Sequence, residues 1–136
     1  MVILGIDFGD RRIGLAKSDS LGMLASGLDT FLWKNDMDLP ISHILDLTKQ
    51  LKIERIVIGM PLNMDDTKGR RAEITEAFAA KLKETVNLDI VFWDERLSSV
   101  EAKEVLRLQG KKNWKDKGAV DRAAACYILQ SYLDSI

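Results

Sequence analysis

The chain has 136 residues and a formal net charge of −1, with 46% hydrophobic and 30% charged residues. This length is typical of one domain, so we expect a single domain over 1–136 and exclude a two-domain enzyme. The balanced charge excludes attraction to polyanions by an overall field, so nucleic-acid binding would need a local basic surface. One cysteine and one histidine exclude an internal disulfide and a His/Cys zinc cluster.

The amino terminus does not have the pattern of a secretory leader. It lacks a basic region and reaches Asp7 after six residues, and nowhere are there 18 consecutive apolar residues. We therefore expect a cytoplasmic protein that does not bind membranes.

The first quarter of the chain predicts three consecutive antiparallel strands. An apolar run at 2–8 is followed by turn residues and by a second apolar stretch at 13–16, which is typical of a hairpin. A third extended segment, from about 23 to 33, follows the turn at 20–22.

The remaining segments alternate between helical and extended patterns. Apolar residues at helical spacing predict helices that include 41–51 and 74–85, and a last helix over 119–134. The segment 55–59 is apolar between its ends, which predicts a strand covered on both faces, and we expect another covered strand at 88–94.

A capping pattern beginning at Ser98 and a closing Gly110 predict one more helix before the last one. The order βββαβαβα, ending in a further helix, predicts an α/β fold. We expect a mixed five-stranded sheet with helices on both faces. Ligands of such sheets gather at the carboxyl ends of the parallel strands.

Two acidic residues at the ends of predicted elements are candidate site residues. Asp7 ends the first strand, and strand alternation places it on the same face as Ile3 and Gly5. Asp121 begins the last helix on the same face as Ala125, so its carboxylate is expected to point toward the protein. Each has a simpler interpretation, as a turn residue and as an acid that complements the helix dipole.

Asp94 and Glu95 follow the fifth strand and are the other acidic candidates. Successive residues of a strand point to opposite faces, so at most one of them faces the Asp7 side, and the sequence leaves open which one. An ion pair of either acid with Arg96 is the simpler interpretation.

A cation is expected if Asp7, Asp121 and one of Asp94 and Glu95 converge. Each pair of carboxylates about 4 Å apart repels by roughly 4 kcal/mol at an effective dielectric near 20. Oxygen ligands of this kind favour Mg²⁺, with Mn²⁺ as the alternative. Such ions promote in-line displacement at phosphorus.

Basic residues cluster where a phosphate backbone would contact this edge of the sheet. Residues 107–122 carry a local excess of four positive charges and include Trp114, an aromatic plane suited to stacking on a base. Each cluster alone is typical of a solvated surface, but three near one edge favour nucleic-acid binding. The candidates are Arg11 and Arg12, Lys68, Arg70 and Arg71 at the start of a helix, Arg96, and Lys111, Lys112 and Lys115 in the loop before the last helix.

Four motifs at these spacings resemble the YqgF/RuvX family of Holliday junction resolvase-like proteins, which are also described as nucleases that mature the small-subunit ribosomal RNA precursor. The resemblance covers nearly the whole chain. The motifs lie at 4–14, 58–63, 94–98 and 120–129.

The resemblance implies a ribonuclease H-like fold and metal-dependent phosphodiester hydrolysis. It also implies an acidic set of Asp7, Asp121 and either Asp94 or Glu95. One departure matters, because related resolvases carry a carboxylate at the end of the fourth strand, where this chain has Gly59. One of the two acids after the neighbouring strand would then supply the missing ligand.

The leading hypothesis is therefore an Mg²⁺-dependent endonuclease acting on structured RNA, such as the 5′ end of the small-subunit rRNA precursor, or on branched DNA. Pre-ribosomal particles are a further candidate partner, and the chain is expected to be a monomer or a homodimer. The alternative is a non-catalytic nucleic-acid-binding or ribosome-assembly module, which the retention of all the acids disfavours. A sugar-kinase or actin-type ATPase is excluded because its nucleotide lies between two related domains.

Overall fold

The computed structural model describes residues 1–97 and 117–136, with side chains for 1–96 and 123–136. The predicted strands and three of the predicted helices are confirmed, with small differences in their bounds. The helix predicted from Ser98 to Gly110 and the loop that follows it lie outside the described residues. In chain order the elements are β1 (Ile3–Phe8), β2 (Arg12–Ser18), β3 (Ala25–Leu32), α1 (Asp38–Gln50), β4 (Arg55–Met60), α2 (Arg70–Thr85), β5 (Asp89–Asp94), a 3₁₀ turn (Glu95–Leu97) and α3 (Lys117–Ser135).

The five strands form one mixed sheet in the order β3-β2-β1-β4-β5. β1 pairs antiparallel with β2, and β2 pairs antiparallel with β3. β1, β4 and β5 are parallel neighbours, so their carboxyl ends, at Phe8, Met60 and Asp94, lie along one edge of the sheet. We call this edge the carboxyl edge.

One face of the sheet packs against α1 and α2. The even-numbered residues of β1, such as Leu4 and Ile6, are fully buried there together with Phe78 and Leu82 of α2. Alternation along the strand explains the pattern, because every second side chain points to this layer.

The other face packs against α3. Ile3 and Val57 point to this side and are buried with Ala125 and Leu129. Helices therefore cover both faces of the sheet, as the order of elements predicts.

α3 runs antiparallel to β4, and this sets which end of the helix reaches the carboxyl edge. Tyr132, late in α3, accepts a hydrogen bond at 2.8 Å from the Nη1 of Arg55, which begins β4. Ile128, one turn earlier, contacts Gly59 near the end of β4. The first turns of α3 therefore lie toward the carboxyl edge.

Gly5 lets α3 approach the sheet closely. A Cβ built on Gly5 would lie 2.8 Å from the Cβ of Leu129 and 3.3 Å from the carbonyl oxygen of Ala125. Any side chain at this position would displace the helix. Within the part of the chain that the structure describes, no helix is both long and apolar enough to cross a membrane.

Candidate active site

Asp7 lies at the carboxyl edge and points to the α3 face. It is half-buried, and Ile3, two alternations earlier, belongs to the core beneath α3. Ile6 pairs with Ile58 in the parallel register of β1 and β4, so the next step along both strands places Asp7 beside Gly59. Ile6 and Phe8, on either side of Asp7, are buried beneath α1 and α2, which agrees with the face that alternation predicts for Asp7.

The Glu95 carboxylate lies over β4 on the same face. Its Oε2 is 3.4 Å from the position that a Cβ on Gly59 would occupy. Gly59 pairs with Trp93 of β5, so Glu95 reaches back from the end of β5 across the strand next to β1. Because adjacent strands are about 4.8 Å apart, Glu95 and Asp7 occupy neighbouring places on the α3 face.

Trp93 fixes the end of β5 against α3. Its Nε1 donates a hydrogen bond of 3.0 Å to the Oγ of Ser131. Its ring meets that of Tyr132 edge to face, with the centroids 5.7 Å apart. Trp93 and Glu95 are two residues apart, so both side chains lie on the α3 face. Trp93 is anchored to α3, and Glu95 is the next residue whose side chain reaches that face.

The electrostatic surroundings of Glu95 disfavour an isolated negative charge. Burial raises the pKa of the Glu95 carboxyl above its ordinary value; the Arg71 guanidinium opposes this shift, and the Asp94 carboxylate adds to it. A carboxylate removed from water in this way is stabilised by a positive partner. Arg71, at the start of α2, is a basic residue whose charge acts on Glu95.

Asp94 has a different environment from Glu95. Its Oδ1 accepts hydrogen bonds from the backbone N–H of Arg96 at 3.0 Å and from Nε of Arg96 at 2.9 Å, and its Oδ2 accepts one from Nη2 at 2.6 Å. These bonds hold the pKa of Asp94 below its ordinary value. The sequence left Asp94 and Glu95 as alternatives, and the structure places only Glu95 against Gly59.

Arg96 directs all of its side-chain donors at other parts of the protein. A guanidinium has five N–H groups. Nε and one Nη2 hydrogen bind Asp94, and the other Nη2 hydrogen binds Oδ1 of Asp66 at 2.7 Å. Nη1 donates to the carbonyl oxygens of Asn63 at 2.9 Å and Met64 at 3.5 Å. The sequence predicted Arg96 as a phosphate-binding residue, but here each donor has a protein acceptor.

Asp121 belongs to α3, and the structure describes its backbone but not its side chain. The predicted inward face of the helix is confirmed further along, since Ala125, Ile128 and Tyr132 are all buried. Asp121 lies one turn before Ala125, in the part of α3 that extends toward the carboxyl edge.

The predicted basic residues fall into three groups. Arg11 and Arg12 lie at the turn from β1 to β2, which directly follows Asp7 at the carboxyl edge. Lys68 forms an ion pair with Glu76 at 3.2 Å and is more than half exposed. Arg70 and Arg71 open α2 with exposed side chains, while Lys111, Lys112, Trp114 and Lys115 lie outside the described residues.

Sequence reasoning missed the contact of Arg96 with the loop at 63–68. Asn63 donates through Nδ2 to Oγ1 of Thr67 at 3.0 Å, and Oγ1 of Thr67 donates to Oδ1 of Asp65 at 2.6 Å. The carbonyl oxygens of Asn63 and Met64 and the carboxylate of Asp66 accept hydrogen bonds from Arg96. The sequence offered only polarity as a signal for this loop, which does not indicate the residue that it contacts.

The described side chains do not form a complete ligand cluster. Among the residues with described side chains, no group of three or more His, Cys, Asp and Glu residues is placed to hold a metal ion. The third predicted ligand, Asp121, is outside that search. Two oxygen-bearing side chains on one face, one of them desolvated, are the donor type that Mg²⁺ takes.

Similarity to solved structures defines the class of fold. Thermus thermophilus RuvC in complex with a Holliday junction matches with a TM-score of 0.63 at 15% identity, over 99% of this chain and 94% of that chain. The fowlpox virus Holliday junction resolvase matches with a TM-score of 0.62 at 14% identity, over the whole of both chains. The fold is ribonuclease H-like.

The family follows from the sequence. A family model for RuvX, described as Holliday junction resolvase, matches residues 1–135. Relatives from Acetivibrio thermocellus and Halothermothrix orenii are 43% and 44% identical, over 99% and 98% of this chain and 96% and 95% of theirs. Both carry the name "Putative pre-16S rRNA nuclease". The chain belongs to the RuvX family, as its motifs predict.

Proposed function

We propose that this protein is a nuclease that hydrolyses phosphodiester bonds in structured nucleic acid with a divalent metal ion, Mg²⁺ or Mn²⁺. The observation that carries the proposal is the position of the Glu95 carboxylate over Gly59, beside Asp7 on the α3 face of the carboxyl edge. Open α/β sheets bind their ligands at the carboxyl ends of the parallel strands, which lie along this edge.

The residues present fit a divalent cation. Asp7 and Glu95 present carboxylate oxygens on one face, and burial leaves Glu95 in need of positive charge. Asp7, Glu95 and, from α3, Asp121 are the proposed ligands. When bound, the ion stabilises negative charge on the phosphate and favours deprotonation of the attacking water. Asp94 is left out of this set because both of its oxygens accept hydrogen bonds from Arg96.

The protein's own contribution is to arrange charge before the substrate arrives. The Glu95 carboxylate lies against Gly59, and Trp93 anchors the strand that leads to it. The charge of Arg71 acts on Glu95 from the start of α2, and Arg11 and Arg12 follow Asp7 in the chain at the carboxyl edge. We propose that these cations bind the phosphates on either side of the cleaved bond.

The proposed substrate is the precursor of the small-subunit ribosomal RNA. Relatives at 43% and 44% identity carry names that describe this activity. Branched DNA is the second candidate, because the family model is described as a Holliday junction resolvase. Pre-ribosomal particles would be the partner in the first case.

Cleavage of both substrates by wild type and by Asp7→Asn tests this function. We expect wild type to release product from an end-labelled rRNA precursor fragment or a four-way DNA junction in Mg²⁺ but not in EDTA. Asp7→Asn should lower the rate by at least about 100-fold, because a charged group at the reacting centre is lost. Binding in EDTA should be unchanged. Asp10→Asn, an exposed acid in the adjoining turn, is the matched control and should cleave like wild type.

Two outcomes would reject the proposal. Equal rates for Asp7→Asn and wild type would remove Asp7 from the mechanism. Binding of both substrates without metal-dependent product would favour the non-catalytic module instead.

A further inference from the structure

We infer that Arg96 is a positioning residue that holds Glu95 over Gly59 and joins it to the loop at 63–66. This inference deepens the proposed function and rests on it for the role of Glu95. It replaces the expectation that Arg96 binds phosphate, because its five donors are already directed at acceptors within the protein.

The first part of the argument is the backbone around Glu95. The Oδ1 of Asp94 accepts the N–H of Arg96 at 3.0 Å, which closes a turn with Glu95 as its central residue. The guanidinium of Arg96 then closes a second ring onto the same carboxylate, with Nε and Nη2 at 2.9 and 2.6 Å from Oδ1 and Oδ2. Both neighbours of Glu95 are thus fixed to each other.

The second part is direction. The bonds between Asp94 and Arg96 lie on the side of the chain that meets the loop at 63–66, while Glu95 points to the α3 face and Gly59. Because Asp94 and Arg96 are both held on the loop side, the side chain of Glu95 between them is directed to the opposite side. The paired hydrogen bonds between Arg96 and Asp94, which we call the fork, therefore set the direction of Glu95.

The third part is the loop. The Nη1 and Nη2 groups of Arg96 bind the carbonyl oxygen of Asn63 at 2.9 Å and the Oδ1 of Asp66 at 2.7 Å. This loop connects β4, which carries Gly59, to α2, which carries Arg71. The Arg96 guanidinium therefore links the end of β5, which leads to Glu95, with the loop after β4, which carries Gly59. Lysine could keep the charge but not this planar set of bonds.

Arg96→Lys is the decisive variant because it keeps the positive charge and removes the fork. We expect its crystal structure to show the Glu95 carboxylate displaced by more than about 1 Å from its place over Gly59, a misplacement that costs about 100-fold in rate. kcat should fall by that factor while KM for the nucleic acid stays unchanged. The affinity for Mn²⁺, measured by calorimetry without nucleic acid, should fall about tenfold, as it does when a group that orients a ligand is removed.

Arg55→Lys is the matched control. It makes the same substitution at the start of β4, where Nη1 of Arg55 donates to the hydroxyl of Tyr132, far from the carboxyl edge. We expect it to keep the position of Glu95, the Mn²⁺ affinity and kcat. Thermal unfolding of each variant shows whether it is folded, and Arg96→Gln provides a second version if Arg96→Lys unfolds.

The outcomes separate this inference from the proposed function. A Glu95 carboxylate that stays over Gly59 in folded Arg96→Lys or Arg96→Gln would overturn the inference, even if wild type is a nuclease. Tighter Mn²⁺ binding in either variant would also overturn it, because Asp94, freed from Arg96, would then be the ligand. If wild type cleaves nothing but Glu95 shifts in Arg96→Lys, the proposed function fails and the positioning role stands.

Discussion

Gly59 lies where α3 and the Glu95 carboxylate meet the end of β4. A Cβ at this position would lie 2.6 Å from the Cδ1 of Ile128 and at an ordinary contact distance, 3.4 Å, from the Oε2 of Glu95. The neighbouring strand therefore brings an acid over the end of β4, where β4 itself carries none. The cost is a buried charge, which is visible in the raised pKa of Glu95.

Glu95→Gln should separate stability from activity at this residue. An acid whose pKa is higher in the folded than in the unfolded state loses stability as pH rises between the two values, so at neutral pH the charge of Glu95 is a cost. In metal-free buffer we expect the free energy of unfolding to be equal to or above that of wild type. Cleavage in Mg²⁺ should fall by at least about 100-fold.

Urea denaturation and a cleavage assay measure the two effects of Glu95→Gln. Glu54→Gln, at an exposed acid beside the start of β4, is the control and should change neither quantity. A variant that loses both stability and activity would show that Glu95 has a structural role instead.

At the scale of secondary-structure elements, the periodicity of apolar residues predicted most of the fold. The side-chain directions that it could not predict have a physical explanation. Strand alternation placed Asp7 on the face of Ile3 because that inference needs only one strand. It could not choose between Asp94 and Glu95, because the choice depends on how β5 ends. There the pairing of Met60 with Asp94 and the turn closed by Arg96 set the direction of each side chain.

The contacts of the loop at 63–68 with Arg96 were not predictable for a related reason. These hydrogen bonds join residues 30 or more positions apart, such as Arg96 and Asp66. A local pattern of polar residues indicates a loop, but it does not identify a distant partner. The side chain of Asp121 stays a prediction, because the structure describes only its backbone.

The contact between α3 and β1 makes Gly5→Ala a test of the element scale. The added Cβ would meet the Leu129 Cβ at 2.8 Å and the Ala125 carbonyl oxygen at 3.3 Å, atoms that move only with the helix. Overpacking of this kind costs about 1–3 kcal/mol, of which alanine recovers about 0.4–1 kcal/mol by restricting the unfolded chain. We expect lower stability and, because α3 carries Asp121, lower metal-dependent cleavage.

Gly59→Ala is the comparison for this prediction. Its Cβ would meet the Cδ1 of Ile128 at 2.6 Å, the far end of a side chain that can rotate away. Urea denaturation should therefore show a smaller loss of stability than for Gly5→Ala. The reverse order would mean that α3 moves more easily than the packing at Gly5 indicates.

For the whole molecule, the net charge and the positions of the basic residues have opposite consequences for nucleic-acid binding. The net charge of −1 gives no general attraction to nucleic acid. Arg11 and Arg12 nevertheless follow β1 at the carboxyl edge, and the charge of Arg71 acts on Glu95 at that edge. We therefore expect nucleic acid to bind with its phosphates facing the carboxyl edge. The affinity should also depend on the salt concentration.

The salt dependence of binding tests this orientation. Each phosphate neutralised on duplex DNA contributes about 0.9 to the slope of log affinity against log salt concentration. Arg71→Gln should lower affinity for a four-way DNA junction in EDTA and reduce the slope by about 1. Lys49→Gln removes a charge from the last turn of α1, near the opposite edge of the sheet, and should change neither. Equal effects of the two substitutions would place the nucleic acid elsewhere on the surface.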